Sequence, residues 1–264
     1  MKHIAADIGN SRFKLRFKDE IFSIFSHPDM SARLHSVMDT IQKNFSDSDF
    51  SDTFCWWISC VHRPTLARLQ EWLQEARPQD KIQILNYTDL PLFVDVRTPQ
   101  AVGMDRLLAA VAANKYRQKD RAAIIVDMGT AITTDLLQES GTFCGGAILP
   151  GINISAEALH HYTDALPRVS FENDSLPTVI GKDTPSALKS GIYWGTVGMI
   201  RELTRKISQN FVTPPHVFLT GGYAKFIAQG LSSDIFQDEK LFHYEIVPEM
   251  VLEGIIEVIK RKNP

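Results

Sequence analysis

Asp7-Ile8-Gly9-Asn10-Ser11 and Asp127-Met128-Gly129-Thr130-Ala131 are two copies of one kind of turn. Each follows a short apolar stretch, His3-Ile4-Ala5-Ala6 in the first case and Ala122 to Val126 in the second. Glycine in such a turn lets the backbone approach a phosphate closely. The aspartate can hold a cation, directly or through water. Alone, Asp-x-Gly is a common turn signal. Two copies in matching contexts, on a chain with room for two domains, predict two similar halves facing one nucleotide.

Working outward from the first turn, Phe13, Leu15 and Phe17 alternate with Lys14, Arg16 and Lys18, the period of a half-buried strand. Ile21 to Phe25 completes a meander. Leu34, Val37, Met38, Ile41 and Phe45 recur at helical spacing. Trp56 to Val61 reads as a strand, a helix opens at Pro64, and Ile82 to Leu85 is a further strand. Asp105 to about Tyr116, rich in Ala and Leu, is a helix.

The second turn has the same surroundings. Ile132 to Leu137 and Thr142 to Leu149 are strands, the latter interrupted by Gly145-Gly146. Ile154 to His161 is a helix, as is the stretch carrying Met199, Ile200, Leu203, Ile207 and Phe211. His216 to Leu219 is a strand entering Thr220-Gly221-Gly222. A helix follows from about Tyr223, and Val251, Leu252, Ile255, Ile256 and Ile259 mark a last amphipathic one. The pattern predicts an α/β chain with a mixed sheet flanked by helices, repeated twice. The join falls near Gln118-Lys119-Asp120, giving domains 1–118 and 119–264.

The 264 residues suit one large domain or two of roughly 100–150 residues. A 44% hydrophobic content is enough for substantial cores, and a net charge of -3 points to no nucleic-acid or anionic membrane surface. Cys55, Cys60 and Cys144 form neither a metal pattern nor an even disulfide set, which suits reduced thiols in a cytoplasmic protein. No signal-peptide core precedes Asp7, and no apolar run has the length of a membrane span.

Several clusters carry chemistry. Gly9, Asn10 and Ser11 present backbone and side-chain donors to phosphate oxygens. Lys14 either adds a point charge to that loop or faces solvent from its strand. Gly103-Met104-Asp105-Arg106 opens a helix, where an aspartate needs no function beyond stabilising the first turn. Its functional reading uses the helix amides and Arg106 to hold an anion, while Asp105 takes the proton of an attacking hydroxyl. Thr130, Thr133 and Thr134 put hydroxyls beside the second turn. Gly145 to Gly151 is a Gly-rich turn, and Thr220-Gly221-Gly222 offers bare backbone for an adenosine. Neither a Gly-x-x-x-x-Gly-Lys-(Ser/Thr) nor a Gly-x-Gly-x-x-Gly loop is present, so phosphate chemistry needs another scaffold.

In their order and spacing these segments, with Ile180-Gly181-Lys182-Asp183-Thr184 and Ser190-Gly191, make the chain similar to the type III pantothenate kinases of the acetate and sugar kinase, Hsp70 and actin superfamily. The resemblance runs nearly end to end. It implies two ribonuclease-H-like (actin-like ATPase) domains, a homodimer, ATP as donor, and both Mg2+ and a monovalent cation, K+ or NH4+. Asp7, Ile8, Gly9, Asn10, Ser11, Arg12, Phe13 and Lys14 match the first ATP-phosphate loop, with Asp7 near magnesium through water. Asp127 falls at the monovalent-cation position, Thr130 at an ATP contact, and Thr220, Gly221 and Gly222 at the adenosine motif. Gly103, Met104, Asp105 and Arg106 match the pantothenate segment, with Asp105 as general base. Thr184 matches a substrate threonine supplied by the partner subunit, so the active site is expected at the dimer interface. Small residues Gly191, Gly195 and Gly198 suit either that close approach or packing within a domain.

The resemblance therefore implies ATP-dependent phosphorylation of pantothenate to 4'-phosphopantothenate, opening coenzyme A synthesis, without feedback by coenzyme A. One departure is Val96, where the family often has a substrate-contacting Tyr; Ser11 in place of a commoner Thr keeps the hydroxyl. A non-catalytic accessory relative is disfavoured by intact Asp105, Arg106 and Asp127. A kinase for another small hydroxylated acid stays open through Val96. An actin-like polymer is disfavoured by the chain's length.

Overall fold

The computed structural model describes residues 2–25, 30–44, 53–171, 175–232 and 243–263. The chain divides into two compact units. One comprises Met1–Leu92, Arg97–Ala112 and Met250–Pro264; the other comprises Phe93–Val96 and Ala113–Glu249.

In the first unit, β1 (Lys2–Ile8), β2 (Arg12–Phe17) and β3 (Glu20–Phe25) form an antiparallel meander. On the other side of β1, β4 (Phe54–Cys60) and β5 (Lys81–Ile84) add in parallel, giving the order β3-β2-β1-β4-β5. Alternation along β2 buries Phe13, Leu15 and Phe17 on one face with Ile4, Ala6, Ile8, Trp56 and Ile58. The helices α1 (Met30–Asn44) and α2 (Arg63–Ala76) cover that face through Leu34, Met38, Ile41, Leu69, Trp72 and Leu73. Full burial of a side chain such as Leu34 contributes about 1.5–3 kcal/mol. Phe45, expected to extend the apolar stripe of α1, lies outside the described residues. His62 caps α2 by accepting from the Thr65 amide, and Pro64 occupies the first turn, where its missing N–H costs nothing.

The helix α7 (Met250–Lys262) belongs with the opposite face, and the first part of α3 (Met104–Tyr116) packs against that helix through Leu108. Helix α7 packs on β1 and β4. Its Glu253 pairs with Arg16 of β2, and its Lys262 pairs with Asp89. Gly254 lets α7 close on α3: a Cβ there would stand 2.1 Å from the Leu108 carbonyl oxygen.

The second unit repeats the scheme. Its meander is β6 (Ala123–Met128), β7 (Ala131–Leu137) and β8 (Phe143–Pro150). Parallel strands β9 (His216–Thr220) and β10 (Tyr244–Ile246) extend the far side of β6. The order β10-β9-β6-β7-β8 has the same connectivity as the first sheet. The two mixed five-stranded sheets flanked by helices agree with the fold expected from the paired turns. Strand β10 was not foreseen. Helices α4 (Ile152–His161), α5 (Thr184–Ser208) and α6 (Ala224–Leu231) bury Ile152, Ala156, Ile192, Val197, Ile200 and Ile227 against Ile124, Val126, Ile132 and Leu219.

Helix α5 is longer than its apolar spacing predicts: it starts 15 residues before Met199, at Thr184, and Phe211 lies past its end. Gly191, Gly195 and Gly198 hide the periodicity of its first half and weaken the local propensity. Its start is set by a reciprocal cap. The Asp183 carboxylate accepts from the Ser186 amide at 2.8 Å, Ser186 Oγ accepts from the Asp183 amide at 3.2 Å, and Pro185 sits in the first turn. Among the described residues, no helix is long and apolar enough to cross a membrane.

Candidate active site

Asp7 is the next-to-last residue of β1, and its register neighbours are Lys14 on β2 and Ser59 on β4. Asp127 holds the same place on β6, between Thr133 on β7 and Thr220 on β9. Register neighbours project from the same side of a sheet. Lys14 therefore shares a face with Asp7, away from the core that buries Phe13 and Leu15, and of its two expected readings the one that brings it to the loop has this support. Both aspartates are half-buried.

The turns that follow differ by one residue. The first runs between the pair Ile8 and Phe13, the second between Met128 and Ile132. The Gly9 amide donates to the Arg12 carbonyl at 3.0 Å, and the Gly129 amide donates to Ala131 at 3.0 Å. Asn10, Ser11, Arg12 and Thr130 are exposed, and Lys14 is half-buried. Ile8 and Phe13 are wholly buried in the core, so their side chains support the loop from beneath.

Three loops of the second unit are tied together. The Tyr223 amide donates to the Met128 carbonyl at 3.1 Å, and the Gly151 amide donates to Thr130 at 3.1 Å. Asn153 Nδ2 donates to the Tyr223 hydroxyl at 2.6 Å. Gly221, at φ 91°, presses its backbone on Asp127. Thr220 is buried, and its hydroxyl donates to the Pro248 carbonyl at 3.2 Å; Gly222 is exposed. Asn153 and Tyr223 were missed in sequence, because nothing local marks a contact between residues 70 apart. The hydroxyl oxygens of Thr133 and Thr134 are buried without a hydrogen-bond partner among the described residues, and of these two only Thr133 shares the face of Asp127.

Gly103, Met104, Asp105 and Arg106 lie, half-buried, at the start of α3. Asp105 Oδ1 accepts from the Arg106 amide at 2.9 Å. A Cβ on Gly103 would stand 2.4 Å from that same Oδ1, so only glycine leaves room for the carboxylate in this position. Burial pushes the Asp105 carboxyl above its ordinary range; the Arg106 amide and guanidinium pull it back without cancelling the effect. This is the balance expected of a proton acceptor poised nearer neutrality.

Thr184 is exposed at the first residue of α5. With Ser155 and Leu159 of α4, and Gly191, Gly195 and Met199 of α5, it lines an open groove of about 440 Å³. Val96, in the second unit, faces Gly145, whose φ is 83°; Val94 forms a bridge with Phe143 just before it. Among the described residues, no three His, Cys, Asp or Glu side chains gather as a metal cage.

Among solved structures, the fold is similar to a Sinorhizobium meliloti protein described as a 2-dehydro-3-deoxygalactonokinase. The TM-score is 0.59 at 12% identity, over 99% of both chains. It is also similar to the activator of the 2-hydroxyisocaproyl-CoA dehydratase from Clostridium difficile, with a TM-score of 0.50 at 11% identity, over 99% of this chain and 97% of that one. In sequence, a type III pantothenate kinase of Rhodospirillum rubrum is 42% identical over 177 residues, 67% of this chain and 63% of that protein. One of Persephonella marina is 35% identical over 201 residues, 76% of this chain and 74% of that protein. The match thus spans somewhat under two thirds of the Rhodospirillum relative's length. The sequence profile of the family described as Type III pantothenate kinase matches residues 3–206, which include both aspartate turns, the Gly103 to Arg106 segment and Thr184. On that match this chain belongs to the type III pantothenate kinase family.

Proposed function

We propose that this chain transfers the γ-phosphoryl group of ATP to the primary hydroxyl of pantothenate, giving 4'-phosphopantothenate, the first intermediate on the route to coenzyme A. The observation that carries the proposal is the pair of register-equivalent aspartate turns on two sheets of identical connectivity, in a chain of this family. Both the activity and a cytoplasmic place of action belong to this reading.

In the proposed reaction the pantothenate hydroxyl oxygen attacks the γ-phosphorus as the bond to the β–γ bridging oxygen breaks. ADP leaves, and the hydroxyl proton passes to Asp105. The raised proton affinity of that carboxyl supports the role, because an acceptor works best when its affinity lies near the operating pH. Arg106 and the amides opening α3 would hold the anionic end of pantothenate. Gly9, Asn10, Ser11 and Lys14 would meet the ATP phosphates, and Thr130, Gly221 and Gly222 the remainder of the nucleotide.

The residues present fit both cations. Asp7 supplies one carboxylate, which suits a magnesium ion that keeps water and nucleotide phosphate as its other ligands. Beside Asp127, the buried and unpartnered Thr133 oxygen is a ready second donor for a monovalent cation, K+ or NH4+. Such cations neutralise the charge spread over the transferring group.

The active enzyme is proposed to be a homodimer with a shared site. Thr184, the residue expected to serve a partner's substrate, lies on the groove lined by Gly191 and Gly195, so one surface carries both the small residues and the threonine. Sedimentation that finds only monomer at assay concentration, with full activity, removes the shared site.

The deciding assay is phosphopantothenate formation with magnesium-ATP, in potassium and then sodium buffer. Product in potassium with little in sodium is expected. Product in both keeps the kinase and removes the cation from Asp127. No product in either, with ATP binding shown separately, moves the reading to another hydroxylated acid, for which Val96, beside Gly145 of β8, a strand where the sequence suggests a Gly-rich turn, is the first place to look.

A further inference from the structure

Among the described residues, the sheet of the first unit leaves the Ser59 hydroxyl unaccounted for. Ser59 on β4 is the register neighbour of Asp7 and projects from the same face of the sheet. It is 0% exposed, and its Oγ has no hydrogen-bond partner among the described residues. A buried hydroxyl without a partner carries its full desolvation cost, so a position that holds one points to a bond made in another state of the molecule. The second unit supplies the contrast. Thr220 is the register neighbour of Asp127 on the equivalent strand, and its hydroxyl is closed off by the Pro248 carbonyl at 3.2 Å. Two sheets of the same connectivity thus treat this position on the parallel neighbour strand differently: Thr220 is closed off, whereas Ser59 keeps its hydroxyl in reserve beside Asp7; the orphan hydroxyl next to Asp127 sits instead on the antiparallel neighbour, Thr133.

We propose that Ser59 is a positioning residue for Asp7: with magnesium-ATP bound, its hydroxyl donates to the Asp7 carboxylate and sets the orientation in which that carboxylate faces the metal. This rests on the reading of Asp7 given above. An ionised carboxylate is an acceptor with about four lone-pair sites, so it can accept a hydrogen bond from the Ser59 hydroxyl while keeping other partners. A hydroxyl-to-carboxylate bond is charge-assisted, so it fixes the orientation of the carboxylate more firmly than a bond between neutral groups would. The step is a change of hydrogen-bond partner only, with no group transferred.

The test compares wild type with Ser59→Ala, with Ser59→Cys as a near-isosteric replacement lacking a strong donor, and with Ser59→Thr as the rescue that keeps a hydroxyl. The readouts are thermal unfolding without ligand, the thermal shift produced by magnesium-ATP, and the apparent constants for magnesium, ATP and pantothenate. Ser59→Ala and Ser59→Cys should unfold without ligand at or above the wild-type temperature, because the orphan hydroxyl is gone. Their apparent constants for magnesium-ATP should rise about tenfold, the size of a lost bond to a charged group, while the constant for pantothenate holds. Ser59→Thr should recover most of the loss. Lower stability without ligand in both variants, with unchanged magnesium-ATP constants, makes the hydroxyl structural and overturns the assignment. Unchanged values throughout overturn it too. A wild type that shows neither a magnesium-ATP shift nor turnover overturns the parent reading and this one together, whereas an active wild type beside unaffected variants overturns this one alone.

Discussion

Gly221 and Asp127 approach so closely that no side chain fits between them: a Cβ on Gly221 would stand 2.4 Å from the Asp127 carboxylate oxygen and 2.6 Å from the Met128 carbonyl. The φ of Gly221 is 91°, a conformation side chains rarely adopt. Gly221→Ala therefore meets two penalties at once, the backbone cost of about 1–3 kcal/mol and the displacement of Asp127. The variant should unfold several degrees below wild type and, where the proposed potassium site at Asp127 holds, lose the response to potassium more than pantothenate affinity. A variant with wild-type unfolding temperature and unchanged response to potassium would show that this approach is incidental.

Asp105→Asn keeps the shape of the side chain and removes the proposed proton acceptor. ATP binding should persist, while turnover falls by about a factor of 10² to 10⁴, the usual contribution of a positioned base. Single-turnover measurement with saturating substrates checks this directly, and near-normal turnover takes Asp105 out of the role.

Gly103 protects the geometry of the same carboxylate. In Gly103→Ala the new methyl group would fall 2.4 Å from Asp105 Oδ1, so the carboxylate must leave the Arg106 amide. With Asp105 as the proposed base, turnover is expected to drop at least about tenfold, since misplacing a reacting group by even an ångström is costly. Full activity in a folded Gly103→Ala enzyme would mean that the observed placement of Asp105 is not the working one.

Burial raises the proton affinity of Asp105 in the folded chain, and that has a sign that can be checked. The folded state binds the proton more tightly than the unfolded state. The group therefore favours folding below the ordinary carboxylate range, and that contribution is lost as pH rises through the raised folded value. Above that value the buried, ionised carboxylate is a net cost, so Asp105→Asn should there be at least as stable as wild type, with the advantage shrinking in acid. The acid limb of the turnover profile should lie above the range of an ordinary aspartate. An acid limb at or below that range contradicts the effect of burial.

How much of this was readable beforehand depends on whether the signal was local. The two aspartate turns, the alternation of Phe13, Leu15 and Phe17, and the helix opening at Asp105 are written in consecutive residues, and each appears where expected. The first half of α5 was hidden because its glycines interrupt the apolar stripe, although Asp183, Pro185 and Ser186 mark its start. The bond between Asn153 and Tyr223, the orphan hydroxyls of Ser59 and Thr133, and the approach of Gly221 to Asp127 had no sequence signature. Each is a relation between strands or loops far apart in the chain, created only when the sheets pair. The same holds for α7: its apolar period marks a helix, but not that it would pack on β1 and β4 near the other end of the chain.

That return of α7 supplies the last prediction. Gly254 lies against the backbone of Leu108, and a Cβ there would stand 2.1 Å from the carbonyl oxygen and 2.7 Å from the carbonyl carbon. Backbone atoms cannot swing aside as a flexible side chain can, so Gly254→Ala must push α7 and α3 apart. The strain of such overpacking is about 1–3 kcal/mol, which for a chain of this size lowers the unfolding temperature by several degrees. The displacement also reaches function, because α3 carries Asp105 and Arg106 in its first turn, and α7 is held to β2 by the pair of Glu253 with Arg16. Gly254→Ala should therefore lower turnover as well as stability, although Gly254 is expected to touch no substrate. The opposing substitution Leu108→Ala cannot relieve the clash, since the blocking atoms are main chain. If Gly254→Ala unfolds at the wild-type temperature, the two helices are not held at the separation described, and the support of α7 for the start of α3 falls with it.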